Sequence, residues 1–118
     1  MLTIKQNQWA ALCASAERAF RSRCVAYLRE QYAAQTASAE DDALQRFVAI
    51  VVDEARRYGL ETEQHILAFV DLIAALGFRM PKEPADALLL HVLKAADLDA
   101  CAKVLWFSDF CSFSLRRQ

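Results

Sequence analysis

The sequence contains few of the residues that most often interrupt regular structure. Its 118 residues include only two glycines and two prolines, and runs of alternating polarity with β-branched residues are scarce. Glycine and proline destabilise helix interiors, so a chain with so few of either can sustain long helices. The composition of 56% apolar and 25% charged residues also excludes a disordered chain. We therefore expect an all-α fold whose turns are marked by these rare residues.

The chain also lacks the short motifs that carry most recognisable catalytic chemistry. It has no glycine-rich phosphate loop, no G-x-S-x-G turn, no H-E-x-x-H and no C-x-x-C pair. A Cys/His nucleophilic pair or a zinc site could be assembled from its four cysteines and from His65 and His91, but no spacing supports either. We therefore predict a protein that is not an enzyme and that has no metal, cofactor or disulfide.

Neither sign of charge dominates, and no segment has the length of a membrane span. Fourteen basic and fifteen acidic side chains give a net charge of -1, so there is no global field to attract nucleic acid or anionic lipid. Uninterrupted apolar runs fall short of the roughly 18 residues that a spanning helix needs, and the N-terminus has no signal-peptide core. We expect a cytoplasmic protein that binds neither nucleic acid nor membrane.

Apolar periodicity and capping signals divide the chain into about five helices within a single domain of residues 1–118. The predicted helices cover about residues 4–34, 41–58, 63–76, 84–96 and 98–107. The third is apolar almost all round and should lie at the centre of the bundle. Their boundaries are marked by a capping box at Thr3 and Gln6, C-terminal Gly59 and Gly77, caps at Thr62 and Asp97, and Pro84 in a first turn.

The corner between the second and third predicted helices suggests a DNA-reading alternative. Ala55 and Gly59 stand four residues apart, as in a helix-turn-helix. The helix that follows would offer mainly apolar side chains to base edges and acidic ones to phosphates, so a DNA-binding regulator is the less favoured function. A single carboxylate, Asp71, interrupts that helix. A buried Asp71 needs a partner, and Arg23 is the candidate for an ion pair; an exposed Asp71 is the alternative.

Aromatic side chains crowd the C-terminal tail, residues 106–118. Adjacent residues of a helix point in different directions, so the aromatic residues cannot all share one face. Packing onto the bundle and anchoring a partner protein are the two interpretations, since aromatic residues dominate interface energetics. The candidate partner-binding residues are Trp106, Phe107, Phe110 and Phe113.

Four segments, taken in order, resemble small helical proteins encoded beside bacterial type VI secretion effector genes. They are LTIKQNQWAAL at residues 2–12, CVAYLRE at 24–30, ARRYGLETE at 55–63 and FVDLIAALG at 69–77. The resemblance covers about residues 2–84 and does not extend into the segment that follows.

The resemblance implies a non-enzymatic accessory protein that acts by binding another protein. Its partner would be a secreted effector, for which the chain would serve as adaptor or co-chaperone during loading. The alternative is an immunity protein that binds and neutralises a cognate toxin in the cytoplasm. No catalytic residues are implied. A homodimer is a further way to cover the surplus apolar surface.

Overall fold

The fold is entirely helical over the part of the chain that the structure describes. The computed structural model describes residues 6–82 and 86–116, and the side chains within 12–82 and 86–109. Thr3 and Pro84, two of the predicted boundary signals, lie outside the described residues. The six helices are α1 (Gln6–Gln31), α2 (Ala33–Thr36), α3 (Asp41–Arg57), α4 (Glu63–Ala75), α5 (Ala87–Lys94) and α6 (Ala100–Arg116). The all-α prediction is confirmed, with six helices in place of about five.

The extra helix arises where α1 ends earlier than its apolar pattern predicts. The helix stops at Gln31, and Tyr32 leaves the helical region with φ -127° and ψ 49° before the short α2 begins. The Tyr32 hydroxyl donates to the Asp71 carboxylate at 2.8 Å, and its ring packs edge-on against Phe78 with centroids 5.8 Å apart. Tertiary packing at Tyr32 therefore overrides a local pattern that would carry the helix to Ala34.

The last helix differs from its prediction at both ends. Its cap is Asp99, whose carboxylate accepts the amide of Ala102 at 2.8 Å, and not Asp97. The helix continues to Arg116, whereas the apolar pattern predicted an end near Phe107. Residues 106–116 of the aromatic tail are thus part of α6 and not a separate segment.

Helix α4 lies at the centre of the fold, as its composition predicts. It contacts α1, α3 and α6. Its buried residues are Ile66, Phe69, Val70, Leu72, Ile73 and Ala74. Burying a large apolar side chain contributes roughly 1.5–3 kcal/mol, so these residues form the main stabilising element of the domain. Because α4 contacts three neighbouring helices, its apolar residues are covered by the rest of the bundle.

The first corner, residues 58–60, joins α3 to α4 and forms a Schellman motif. Gly59 has a φ of +86°, its amide donates to the carbonyl of Arg56, and the amide of Leu60 donates to that of Ala55, both at 3.0 Å. Leu60 then enters the core, where it is fully buried. The hydroxyl of Thr62 accepts the amide of His65 at 3.1 Å and so begins α4. Both capping predictions are confirmed.

The second corner, residues 76–78, ends α4 with the same pattern of hydrogen bonds. Gly77 has a φ of +89°, its amide donates to the carbonyl of Ala74, and the amide of Phe78 donates to that of Ile73, both at 3.0 Å. The predicted role of Gly77 is confirmed. The chain then leads toward α5, where the Arg79 guanidinium donates to the Asp86 carboxylate at 2.7 Å.

Candidate functional site

An apolar cleft of about 560 Å³ opens beside the second corner. We call it the α2–α3 cleft, because α2, the loop after it and the first turns of α3 form most of its walls. Its volume lies within the roughly 300–1,000 Å³ typical of binding sites in proteins. The residues that line it are Gln35, Thr36, Ala39, Ala43, Leu44, Phe47, Gly77 and Phe78.

Phe78 forms one wall of the cleft from an unusual backbone conformation. Its φ is +59°, and it is the one non-glycine residue with positive φ among the described residues. A side chain with a β-carbon pays roughly 1–2 kcal/mol to adopt this left-handed region. The ring packs against Phe47 at 5.4 Å and against Tyr32 at 5.8 Å between centroids. These contacts hold Phe78 in place despite the strain, which is the kind of local cost that accumulates at functional sites.

Arg29 fixes the loop that forms the opposite side of the cleft. Its guanidinium donates to the backbone carbonyl of Thr36 at 3.1 Å and to that of Ala39 at 2.9 Å. Its Nε also donates to the Asp41 carboxylate at 3.1 Å, in the first turn of α3. One side chain of α1 thus ties down α2, the loop and α3 together. The α2–α3 cleft is therefore already shaped in the unbound chain.

A carboxylate with two tyrosine donors braces α1 against α4 near the second corner. The Asp71 carboxylate accepts the hydroxyl of Tyr27 at 3.0 Å and that of Tyr32 at 2.8 Å. Burial, followed by the hydrogen bond to Asp71, raises the pKa of Tyr27 to about 12. The predicted Arg23–Asp71 pair is corrected: Arg23 donates to Glu63 at 2.7 Å, because α1 brings it to the first turn of α4. Asp71 is half-buried and paired by phenols.

The C-terminal aromatic residues do not form one exposed cluster. Phe107 is 1% exposed and packs edge-on against Phe69, with centroids 6.3 Å apart, so its interpretation as a partner anchor is corrected to a core role. Trp106 is half-buried and packs against the core. The side chains of Phe110 and Phe113 lie outside the described residues, and their predicted partner contacts stay predictions.

The first turns of α4 and α6 bring a cysteine and a histidine together. The Sγ of Cys101 lies 3.5 Å from the Nε2 of His65, although 36 residues separate them. The Cys101 side chain is exposed, whereas the Nδ1 of His65 is shielded from solvent and has no hydrogen-bond partner among the described residues. Nucleophilic sites generally orient their base through a third group, and no described residue supplies one here. The pair is a hydrogen-bonded thiol that the sequence spacing could not indicate.

No family model, curated protein or solved structure matches this chain. Among the residues that the structure describes, no three His, Cys, Asp or Glu side chains are grouped to hold a metal ion. Within the same part of the chain, none of the helices combines the length and hydropathy needed to cross a bilayer. The function must therefore be inferred from the cleft, the exposed side chains and the sequence resemblance.

Proposed function

We propose that this chain is a non-enzymatic accessory of a type VI secretion effector, binding the effector as an adaptor or co-chaperone during its loading. The sequence resemblance over about residues 2–84 supports this setting. The α2–α3 cleft, which lies within that region, supports the mode of action. The observation that carries the proposal is a preformed apolar cleft walled by Phe78 in a left-handed conformation.

A preformed cleft favours binding because the chain does not have to order it when the partner arrives. Ordering an interface side chain costs roughly 0.5–1.5 kcal/mol on association. In this chain Arg29 already orders one side of the cleft, and the tilted ring contact between Phe47 and Phe78 orders the other. The backbone strain at Phe78 is already present in the unbound chain, so it does not reduce the free energy of binding.

The partner segment that fits this cleft is an amphipathic helix of the effector that inserts bulky apolar side chains. Helix-in-groove recognition uses residues spaced three and four apart as anchors, and a cleft of about 560 Å³ has room for them. Four other exposed apolar side chains lie outside the lining of the cleft. They are Leu12, Ile50, Leu88 and Leu105, all at least 60% exposed.

Co-purification of the tagged chain with the product of the neighbouring effector gene tests this proposal. Ala43→Arg places a long cationic side chain at the cleft from an exposed position of α3, so the core stays intact. The matched control, Ala26→Arg, makes the same change at an exposed position of α1 that does not line the cleft. We expect Ala43→Arg to abolish co-purification and Ala26→Arg to leave it at the wild-type level.

Equal recovery of the effector with both variants, or no recovery with the wild-type chain, would contradict the proposal. A second assay separates the two roles that an effector-binding protein can have. Secretion of the effector is measured in cells that lack the chain, and growth is measured in cells that express the effector without it. Loss of secretion supports the adaptor role, whereas neutralised toxicity with unchanged secretion would replace it with the immunity role.

A further inference from the structure

The three cysteines whose side chains the structure describes occupy different environments. Cys24 is completely buried on α1, and burial raises the pKa of its thiol to about 11. Cys13 is exposed on the same helix. Cys101 is exposed on α6 and also contacts a histidine ring nitrogen. Reactivity of a thiol depends on access to the reagent and on its polar surroundings, and of the three Cys101 is the exposed thiol whose sulfur also lies within hydrogen-bond distance of a ring nitrogen.

The burial of one ring nitrogen fixes how His65 meets the cysteine. An N–H group buried without an acceptor is costly, so the proton of the neutral ring is disfavoured at the shielded Nδ1. The alternative tautomer places the proton on Nε2, which faces the Sγ of Cys101 at 3.5 Å. In this tautomer His65 donates to the sulfur, and this contact is the one hydrogen bond of the ring among the described residues.

We propose that Cys101 is a site of reversible modification by low-molecular-weight disulfides, with His65 as its positioning residue. The sulfur of Cys101 attacks one sulfur of the incoming disulfide, whose S–S bond breaks as the new S–S bond forms. The other half of the disulfide leaves as a thiol and carries away the proton that Cys101 has lost. One disulfide is consumed and one is formed, so no further oxidant is needed.

The position of Cys101 gives the modification a structural consequence. The thiol lies where the first turn of α6 meets the first turn of α4, and the adduct would move the sulfur away from Nε2. His65 would then lose this hydrogen bond while its Nδ1 stays shielded. A mixed disulfide should therefore loosen the contact between α4 and α6 at this end, and reduction should restore it.

Glutathione disulfide added to the full-length chain tests the proposal, with site-resolved mass spectrometry following each thiol. We expect the adduct at Cys101 to form about tenfold faster than at Cys13, with Cys24 unmodified and dithiothreitol reversing the reaction. His65→Leu removes the donor and should bring the Cys101 rate near that of Cys13. His65→Gln keeps an N–H donor on a similar side chain and should restore much of the difference.

Two controls keep a simple loss of structure from imitating this result. His91→Leu makes the same substitution at the other histidine, which is exposed, and should leave the Cys101 rate unchanged. The rate at Cys13 within each variant reports any general opening of the fold. The proposal is overturned if Cys101 reacts no faster than Cys13, or if His65→Leu leaves the ratio of the two rates unchanged.

Discussion

The corners at the two ends of α4 are built from the same local motif but lead to opposite environments. At the first corner the residue after Gly59 is Leu60, which is fully buried in the core. At the second corner the residue after Gly77 is Phe78, which is half-buried and lines the α2–α3 cleft. At both corners the helix is ended by the local sequence around the glycine. The neighbouring helices determine whether the next residue is buried in the core or lines the cleft.

The neighbours of the two corners explain the difference. Helix α6 covers the first corner, where the buried Lys103 donates from Nζ to the carbonyl of Tyr58 at 2.8 Å. A cation at this position also interacts favourably with the C-terminal dipole of α3. At the second corner the Phe78 ring packs against Tyr32 and Phe47, and Phe78 also lines the α2–α3 cleft. The first corner therefore contributes to the stability of the core, whereas the second corner provides part of the surface of the α2–α3 cleft.

The largest effect in this comparison is expected at Leu60. Leu60→Ala leaves a cavity in the core at the first corner and should lower the free energy of unfolding by about 2–5 kcal/mol. Urea denaturation followed by helical circular dichroism measures this loss. A loss below 1 kcal/mol would show that the first corner does not contribute to the core in the way that its burial indicates.

A smaller effect is expected when the residue after each glycine is replaced by Gly or by Ala. The difference in stability between the two variants should have opposite signs at the two corners. At Phe78 the left-handed φ favours Gly, so Phe78→Gly should be more stable than Phe78→Ala by about 1 kcal/mol. At Leu60, where φ is not positive, Leu60→Gly should be less stable than Leu60→Ala by about 0.4–1 kcal/mol. The same denaturation experiment on four variants measures both differences, and an equal sign at the two positions would contradict the strain assigned to Phe78.

A third effect, which depends on pH, concerns the tyrosines that brace the second corner. The folded chain holds the pKa of Tyr27 at about 12, above its ordinary value of 10.0, so folding favours the neutral phenol. This stabilisation is complete below pH 10 and is lost as the pH rises toward 12. The stability advantage of the wild-type chain over Tyr27→Phe should therefore shrink across that interval. An advantage that stays constant from neutral pH through the interval would contradict the raised pKa that burial and the contact with Asp71 give Tyr27.

Much of the fold could be predicted from the sequence because its signals are local. Gly59, Thr62 and Gly77 mark helix ends through φ preference and side-chain capping, and the all-round apolar character of α4 marks the centre. The predictions that were wrong concern features that depend on residues distant in the sequence. Tyr32 ends α1 because of contacts with α4 and the second corner. The partner of Arg23 depends on how α1 is aligned with α4, which no spacing within either helix specifies.

The candidate site was less predictable than the fold. The α2–α3 cleft is formed by residues within 35–47 together with Gly77 and Phe78, which lie at least 30 positions further along the chain. Phenylalanine rarely adopts a positive φ, so its local preference could not indicate the conformation that Phe78 takes among the surrounding rings. The contacts of Lys103 with Tyr58 and of Cys101 with His65 likewise join distant helices. The aromatic composition of the tail was visible in the sequence, but the burial of Phe107 was not.

The role of the second corner as the binding surface is tested most directly with two variants. Isothermal titration calorimetry, performed below their melting temperatures, measures how each binds the product of the neighbouring effector gene. Phe78→Gly removes the cleft wall without adding backbone strain, whereas Leu60→Ala damages the core at the other corner. We predict that Phe78→Gly weakens binding at least about tenfold, the equivalent of 1.4 kcal/mol, while Leu60→Ala, although less stable, binds as the wild-type chain does. Wild-type affinity for Phe78→Gly would contradict the assignment of the second corner as the binding surface.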